Sequence, residues 1–172
     1  MHLIQIDYEF VVRELKKISS ITESEIGRPP TSMVGIIGEL LVLKKLYELQ
    51  LSPQYTSRPG KPDIILNDKI VEVKTSHIWF SKKLKCKVAE NANIIPTKFD
   101  YLIFVVIPED WGKERFFIFK NTDIENVKSK RIFGEKKDYK QIIFYSEPKN
   151  FEQERNNRLL EKYEGKWDIL NE

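Results

Sequence analysis

The sequence predicts an α/β fold, with a mixed central β-sheet flanked by helices. Helical periodicity fills the first fifty residues, strand-like runs follow between residues 63 and 145, and the chain closes on a charged segment rich in helix formers. In order, Ile6, Phe10, Val11, Leu15 and Ile18 recur at helical spacing and predict a helix from Ile4 to Ser19. Ser19, Ser20 and Thr22 then end it, and the polar, proline-bearing residues 21–32 read as a loop. A second helix is predicted from Met33 to Leu49, with Ser32 as its N-cap. A short strand around Gln54–Ser57 and a Pro-Gly turn come next.

Ile64, Ile65 and Leu66, then Ile70, Val71 and Val73, have the β-branched character of strands. Asn67-Asp68 between them predicts a two-residue hairpin turn. The stretch from Ser76 to Lys98 is predicted to be partly helical. Asp100–Ile107 is apolar throughout, as expected of a strand buried on both faces. Arg115–Lys120 and Gln141–Tyr145 are further strands, and Phe151–Tyr163 is a C-terminal helix.

A chain of 172 residues suits one domain and buries a core without disulfides. The single cysteine, Cys86, forms no internal disulfide, which points to a reducing, cytoplasmic home. No apolar run reaches the ~18 residues that span a membrane. The first ten residues are acidic and lack the positive region of a signal peptide. The net charge, 29 Lys and Arg against 26 Asp and Glu, permits nucleic-acid binding without demanding it. Function therefore has to be read from local chemistry.

With a two-residue turn at Asn67-Asp68, Leu66 faces Lys69, Ile65 faces Ile70, Ile64 faces Val71 and Asp63 faces Glu72. Facing residues share one side of the sheet, roughly 4.5–5.5 Å apart at Cβ, so two carboxylates are set side by side at a cost in repulsion. A divalent cation is the natural compensation, and clustered hard oxygens select Mg²⁺. Lys74 lies two residues beyond Glu72 and points the same way. Its amine is placed to orient the attacking water or to counter charge on a phosphate in the transition state. Glu39 sits among Gly35, Ile36, Val42 and Leu43 on its helix, none of them charged. A carboxylate on an apolar stripe is expensive unless paired or metal-bound.

At Gly38-Glu39 in a helix, Pro62-Asp63 at a strand start and Glu72-Val73-Lys74 in the next strand, the chain resembles the PD-(D/E)xK nuclease superfamily. The resemblance covers Met33 to Ser76. It implies a restriction-endonuclease-like sandwich as one nuclease domain, with a catalytic core at about 31–120 and an extension over 121–172. It further implies Mg²⁺ bound by Asp63 and Glu72, a carbonyl lent by Val73, and hydrolysis supported by Lys74. Mn²⁺ is the expected substitute metal. Glu39 completes or backs the site. The implied activity is DNA phosphodiester hydrolysis leaving a 5′-phosphate. Size, the extension and near-neutral charge point to a type II restriction enzyme, working on double-stranded DNA as a homodimer. A Holliday junction resolvase or repair nuclease of the same fold, or a non-catalytic DNA-binding domain, are the alternatives. So is a plain solvated hairpin in which Glu72 and Lys74 merely pair with neighbours.

Other candidates each carry a plainer reading. Arg58 and Lys61 are either phosphate contacts or part of a surface turn. Lys82, Lys83, Lys85 and Lys87, beside Trp79 and Phe80, form the densest basic run near the proposed site, for DNA phosphates or only a solvated face. His77 could touch DNA or be incidental, and Arg28 has the same standing. Gln141 and Tyr145, the three phenylalanines at 116, 117 and 119, and Cys86 read as packing.

Overall fold

The computed structural model describes residues 7–26, 31–56, 62–82, 84–126, 133–136 and 139–171. Helices α1 (Tyr8–Ile26) and α2 (Thr31–Glu48) come first. Strands β1 (Gln54–Tyr55), β2 (Ile64–Leu66), β3 (Lys69–His77), β4 (Trp79–Ser81), β5 (Cys86–Ile94), β6 (Tyr101–Ile107) and β7 (Arg115–Lys120) follow. Helix α3 (Asn121–Asn126), strands β8 (Phe133–Lys136) and β9 (Tyr139–Tyr145) and helix α4 (Phe151–Glu161) complete the order, with one-turn 3-10 segments at Pro96–Lys98 and Trp167–Asn171. No helix among the described residues is long and apolar enough to cross a membrane.

The strands form two sheets. One has the order β1-β2-β3-β6-β7 and is mixed, with β3 and β6 parallel and the other pairs antiparallel. The other, β4-β5-β9-β8, is antiparallel. A mixed sheet with helices against it is what the residues predict, and β6 is buried along its whole length. Its Tyr101, Ile103, Val105 and Ile107 join a core with Val34, Ile37, Leu41 and Leu46 of α2. Its Leu102, Phe104 and Val106 join a second core with Ala89, Ile142, Phe144 and Leu160. Each such side chain taken from water contributes roughly 1.5–3 kcal/mol.

The second sheet is the main departure from expectation. The predicted helix within Ser76–Lys98 is absent apart from the single turn at Pro96–Lys98. β3 runs on to His77, and β4 and β5 occupy the rest. Val88 and Ala89 are buried, and β9, from the predicted extension, pairs with β5. Pairing with a distant strand overrides a local preference here.

Helix α1 also outruns its predicted end at Ser19. Asp7 caps its start, accepting from the Phe10 amide at 2.9 Å. Past Ser19, the Thr22 hydroxyl donates to the Ile18 carbonyl at 2.9 Å and the Ser24 hydroxyl to the Ile21 carbonyl at 2.7 Å. Hydroxyls satisfied within the helix do not break it. Ser19 itself is buried against α2, its Oγ 3.9 Å from Met33 Sδ. The C-terminal helix starts where predicted, capped by Asn150, whose side chain accepts from the Gln153 amide at 3.0 Å.

Candidate active site

The β2–β3 hairpin has the predicted register: Ile64 against Val71, Ile65 against Ile70 and Leu66 against Lys69. Asn67 and Asp68 both adopt left-handed backbone, φ 50° and 61°, as a two-residue turn matching strand twist requires. Asp63 directly precedes β2, and continuing that register would set it across from Glu72, whose charge it feels. Its backbone is held by the Thr56 amide, which donates to the Asp63 carbonyl at 3.2 Å. Asp63 Oδ2 accepts the Val73 amide at 2.7 Å.

Strand alternation sorts β3 into two faces. Val71 and Val73 enter the core against α2. Glu72 and Lys74 face the other way, toward the second sheet, where Ser76 Oγ accepts the Glu90 amide of β5 at 3.1 Å. Both are half-buried, and Lys74 Nζ lies 2.5 Å from Glu72 Oε1. That pair is the one the solvated-hairpin alternative anticipates.

Glu39 arrives from α2 by close packing. A Cβ built on Gly38 would lie 1.7 Å from Thr75 Oγ1 and 2.7 Å from Thr75 Cβ, so only glycine lets α2 sit this near β3. The Gly38-Glu39 dipeptide thus has a physical account: the glycine sets the approach and the next residue meets the sheet edge. Glu39 is not left on an apolar stripe. Its Oε2 accepts the Tyr55 hydroxyl at 2.6 Å. Nothing in the local sequence around Tyr55 marks it as a partner of Glu39. The available signal was its place on the strand beside Asp63, which needs the β1–β2 pairing to interpret.

The four groups feel one another. Burial pushes the Asp63 carboxyl up from its ordinary value to about 6, and the charges of Glu72 and Glu39 add to the rise. The Val73 amide and the Lys74 ammonium pull the other way. The Tyr55 phenol is likewise raised, by burial first and then by its hydrogen bond to Glu39 and the charges of Glu39 and Asp63. Asp63 thus lies within reach of two other carboxylates, Glu72 and Glu39, and of the Lys74 ammonium that pairs with Glu72.

Among the described residues, no three His, Cys, Asp or Glu side chains come together in a metal-binding group. The donor set fits Mg²⁺ nonetheless, since that ion is commonly held by one or two carboxylates and keeps its remaining ligands for water and phosphate. Asp63 and Glu72 would be those two, and the repulsion that raises the Asp63 carboxyl is what a hard cation would relieve.

The fold is similar to that of a bacterial homing endonuclease. The solved structure of I-Ssp6803I matches with a TM-score of 0.54 and 15% identity, over 81% of this chain and 91% of that one. The likeness is one of fold. No protein-family model and no curated protein matches the sequence.

The predicted DNA contacts fare differently. Arg28, Arg58, Lys61 and Lys83 lie outside the described residues. His77 is 4% exposed, stacked on Trp111 at 4.3 Å between ring centroids, so it does not present itself at a surface. Lys82 and Lys85 are exposed in the turn joining β4 to β5. That turn is not beside the carboxylates. From Glu72 to Ser76, across to Glu90 and on to Cys86 is eight strand steps, a path of at most about 26 Å that leads away from the carboxylates. Lys87 is tied to Glu109 at 2.6 Å. Gln141 lies on β9 and donates to Glu90, while Phe117, Phe119 and Cys86 are buried, all as packing predicts.

Proposed function

We propose that the chain is a Mg²⁺-dependent DNA endonuclease of the PD-(D/E)xK type, with Asp63, Glu72 and Lys74 as catalytic set and Glu39 in support. The observation that carries the reading is Asp63: a carboxyl aligned with Glu72, held by the Val73 amide, and destabilised as an anion by burial and by two neighbouring carboxylates. Evolved structures retain such strain chiefly where it serves function. The fold's likeness to an endonuclease supports it.

Asp63 and Glu72 would hold the metal, with the Val73 carbonyl as a further oxygen ligand and Mn²⁺ as substitute. A bound Mg²⁺ supplies an acidified water and neutralises phosphate charge. Lys74 orients that water and counters the charge developing on the phosphate. Glu39, steadied by Tyr55, receives positive charge near the reacting centre. Water adds to phosphorus as the P–O3′ bond breaks, leaving a 5′-phosphate and a 3′-hydroxyl. The substrate is double-stranded DNA at specific sites, cut by a homodimer in the manner of a type II restriction enzyme.

Incubation with Mg²⁺ and either phage-length duplex or a synthetic four-way junction tests this. Discrete duplex fragments are expected, lost by about a thousandfold in Asp63→Ala. Cutting confined to the junction would make the enzyme a resolvase. No metal-dependent cutting by the wild-type chain, or cutting that survives Asp63→Ala, would sink the reading.

A further inference from the structure

Three features coincide on the β4–β5 ribbon, away from the carboxylates. First, Trp79 and Phe80 are 46% and 56% exposed, adjacent aromatics on an edge strand between buried Ile78 and Ser81. Second, Lys82 and Lys85 in the turn are exposed, and neither side chain makes an ion pair among the described residues. Lys149 joins them, its Nζ donating to the Lys85 carbonyl at 3.0 Å. Third, Lys85 has φ 54°, a left-handed conformation that favours glycine or asparagine. A lysine kept where glycine would be cheaper suggests that its charge is used.

The ribbon is also braced. The Leu84 amide donates to Ser81 Oγ at 3.3 Å, and Gln153 of the capped α4 start reaches Cys86 Sγ at 3.8 Å. We propose that the outer edge and turn of the β4–β5 ribbon are a duplex-DNA-binding element, with Trp79 and Phe80, which project from opposite faces of the edge strand, meeting the two walls of a groove and Lys82 and Lys85 on flanking phosphates. β5 is paired with β9 on its other side, so it is the outer edge and turn of the β4–β5 pair that would reach the major groove, where apolar side chains meet thymine methyls. Lysines without acidic partners match the phosphate backbone. A second copy is the poorer occupant, because β4 has three residues and offers an edge too short for a stable ladder. At no more than about 26 Å from Glu72, the ribbon meets DNA within about eight base pairs of the cut. It therefore contributes to site choice rather than to bond breaking. The inference rests on the endonuclease reading, which supplies the DNA.

The test is anisotropy of a labelled mixed-sequence duplex of about 30 base pairs in EDTA, across a salt series, with cutting of phage-length duplex in Mg²⁺ scored in parallel. Lys82→Ala with Lys85→Ala should lower the slope of log affinity against log salt by about 2. Trp79→Ala with Phe80→Ala should weaken binding about tenfold and leave that slope unchanged. If the wild-type chain binds and cuts while both double variants bind as it does, the ribbon inference fails and the endonuclease reading stands. If the wild-type chain neither binds nor cuts, both fail. Loss of self-association in the aromatic variant, with the salt slope of the lysine variant unchanged, would assign the aromatics to a second copy and overturn the inference.

Discussion

Strand β3 carries an ionisable cluster at each end, and burial acts on the two with opposite results. At one end Asp63, Glu72 and Lys74 gather charge; the Asp63 carboxyl is raised to about 6, yet Glu72 and Lys74 keep a quarter of their side-chain surface open. At the other end His77 is sealed beneath Trp111 with both ring nitrogens buried and unpaired. Glu23 accepts from Trp111 Nε1 at 3.1 Å and comes no nearer than 3.8 Å to His77 Nδ1. Desolvation lowers the His77 pKa despite Glu23 and Glu109, which favours the neutral ring. Desolvation is the first cause at both ends. One cluster holds charge and stays accessible, as chemistry on a large substrate needs. The other excludes charge and closes, as a structural joint between α1, β3 and the loop at 108–114 does.

The largest expected effect breaks the accessible end mechanically. Gly38→Val would drive a side chain into Thr75 and force α2 off β3, costing about 3 kcal/mol in urea unfolding. It should also abolish cutting by displacing Glu39, whereas an unchanged midpoint would show that the approach is slack.

Next, Asp63→Asn should stabilise the protein near neutrality while removing activity. A carboxyl raised in the folded state contributes stability below its unfolded pKa of 3.8, and loses it as pH rises through about 6. The full shift corresponds to about 3 kcal/mol, discounted for partial exposure to on the order of 1 kcal/mol. Thermal melts of both forms without metal, at about pH 4 and pH 7.5, check it; the gap should open only at the higher pH.

His77 should behave in the opposite sense. Its folded pKa is depressed, so its contribution is complete above the unfolded value of 6.5 and is lost as pH falls through it. His77→Phe keeps a ring against Trp111 and should flatten the fall in stability between about pH 7 and pH 5, with cutting intact. Cutting lost in a folded His77→Phe would erase the contrast between the two ends.

The smallest effect is at Tyr55. Tyr55→Phe deletes one hydrogen bond to Glu39, worth about 1 kcal/mol, and should slow cutting several-fold with little change in duplex affinity. An affinity loss equal to the rate loss would place the hydroxyl on DNA instead.

The carboxylate end was legible because its determinants are local. The turn at Asn67-Asp68 sets the hairpin register, and the register sets Asp63 against Glu72. The His77 end was not, because nothing near His77 in sequence reveals that residue 111 will lie on it. The same holds for the basic run. It is close to Lys74 along the chain, but β3 and β5 run antiparallel and carry it away.

By itself, then, the amino-acid order determined the hairpin, the double-sided burial of β6, the Gly38-Glu39 helix and the alternation that puts Glu72 and Lys74 on one face. Tertiary structure alone decided the second sheet, the end of α1, the Tyr55 partner of Glu39 and the seclusion of His77. Hairpin register and strand alternation follow from backbone geometry over a few residues. Sheet partners and burial depend on contacts between segments tens of residues apart, whose pairing no local periodicity encodes.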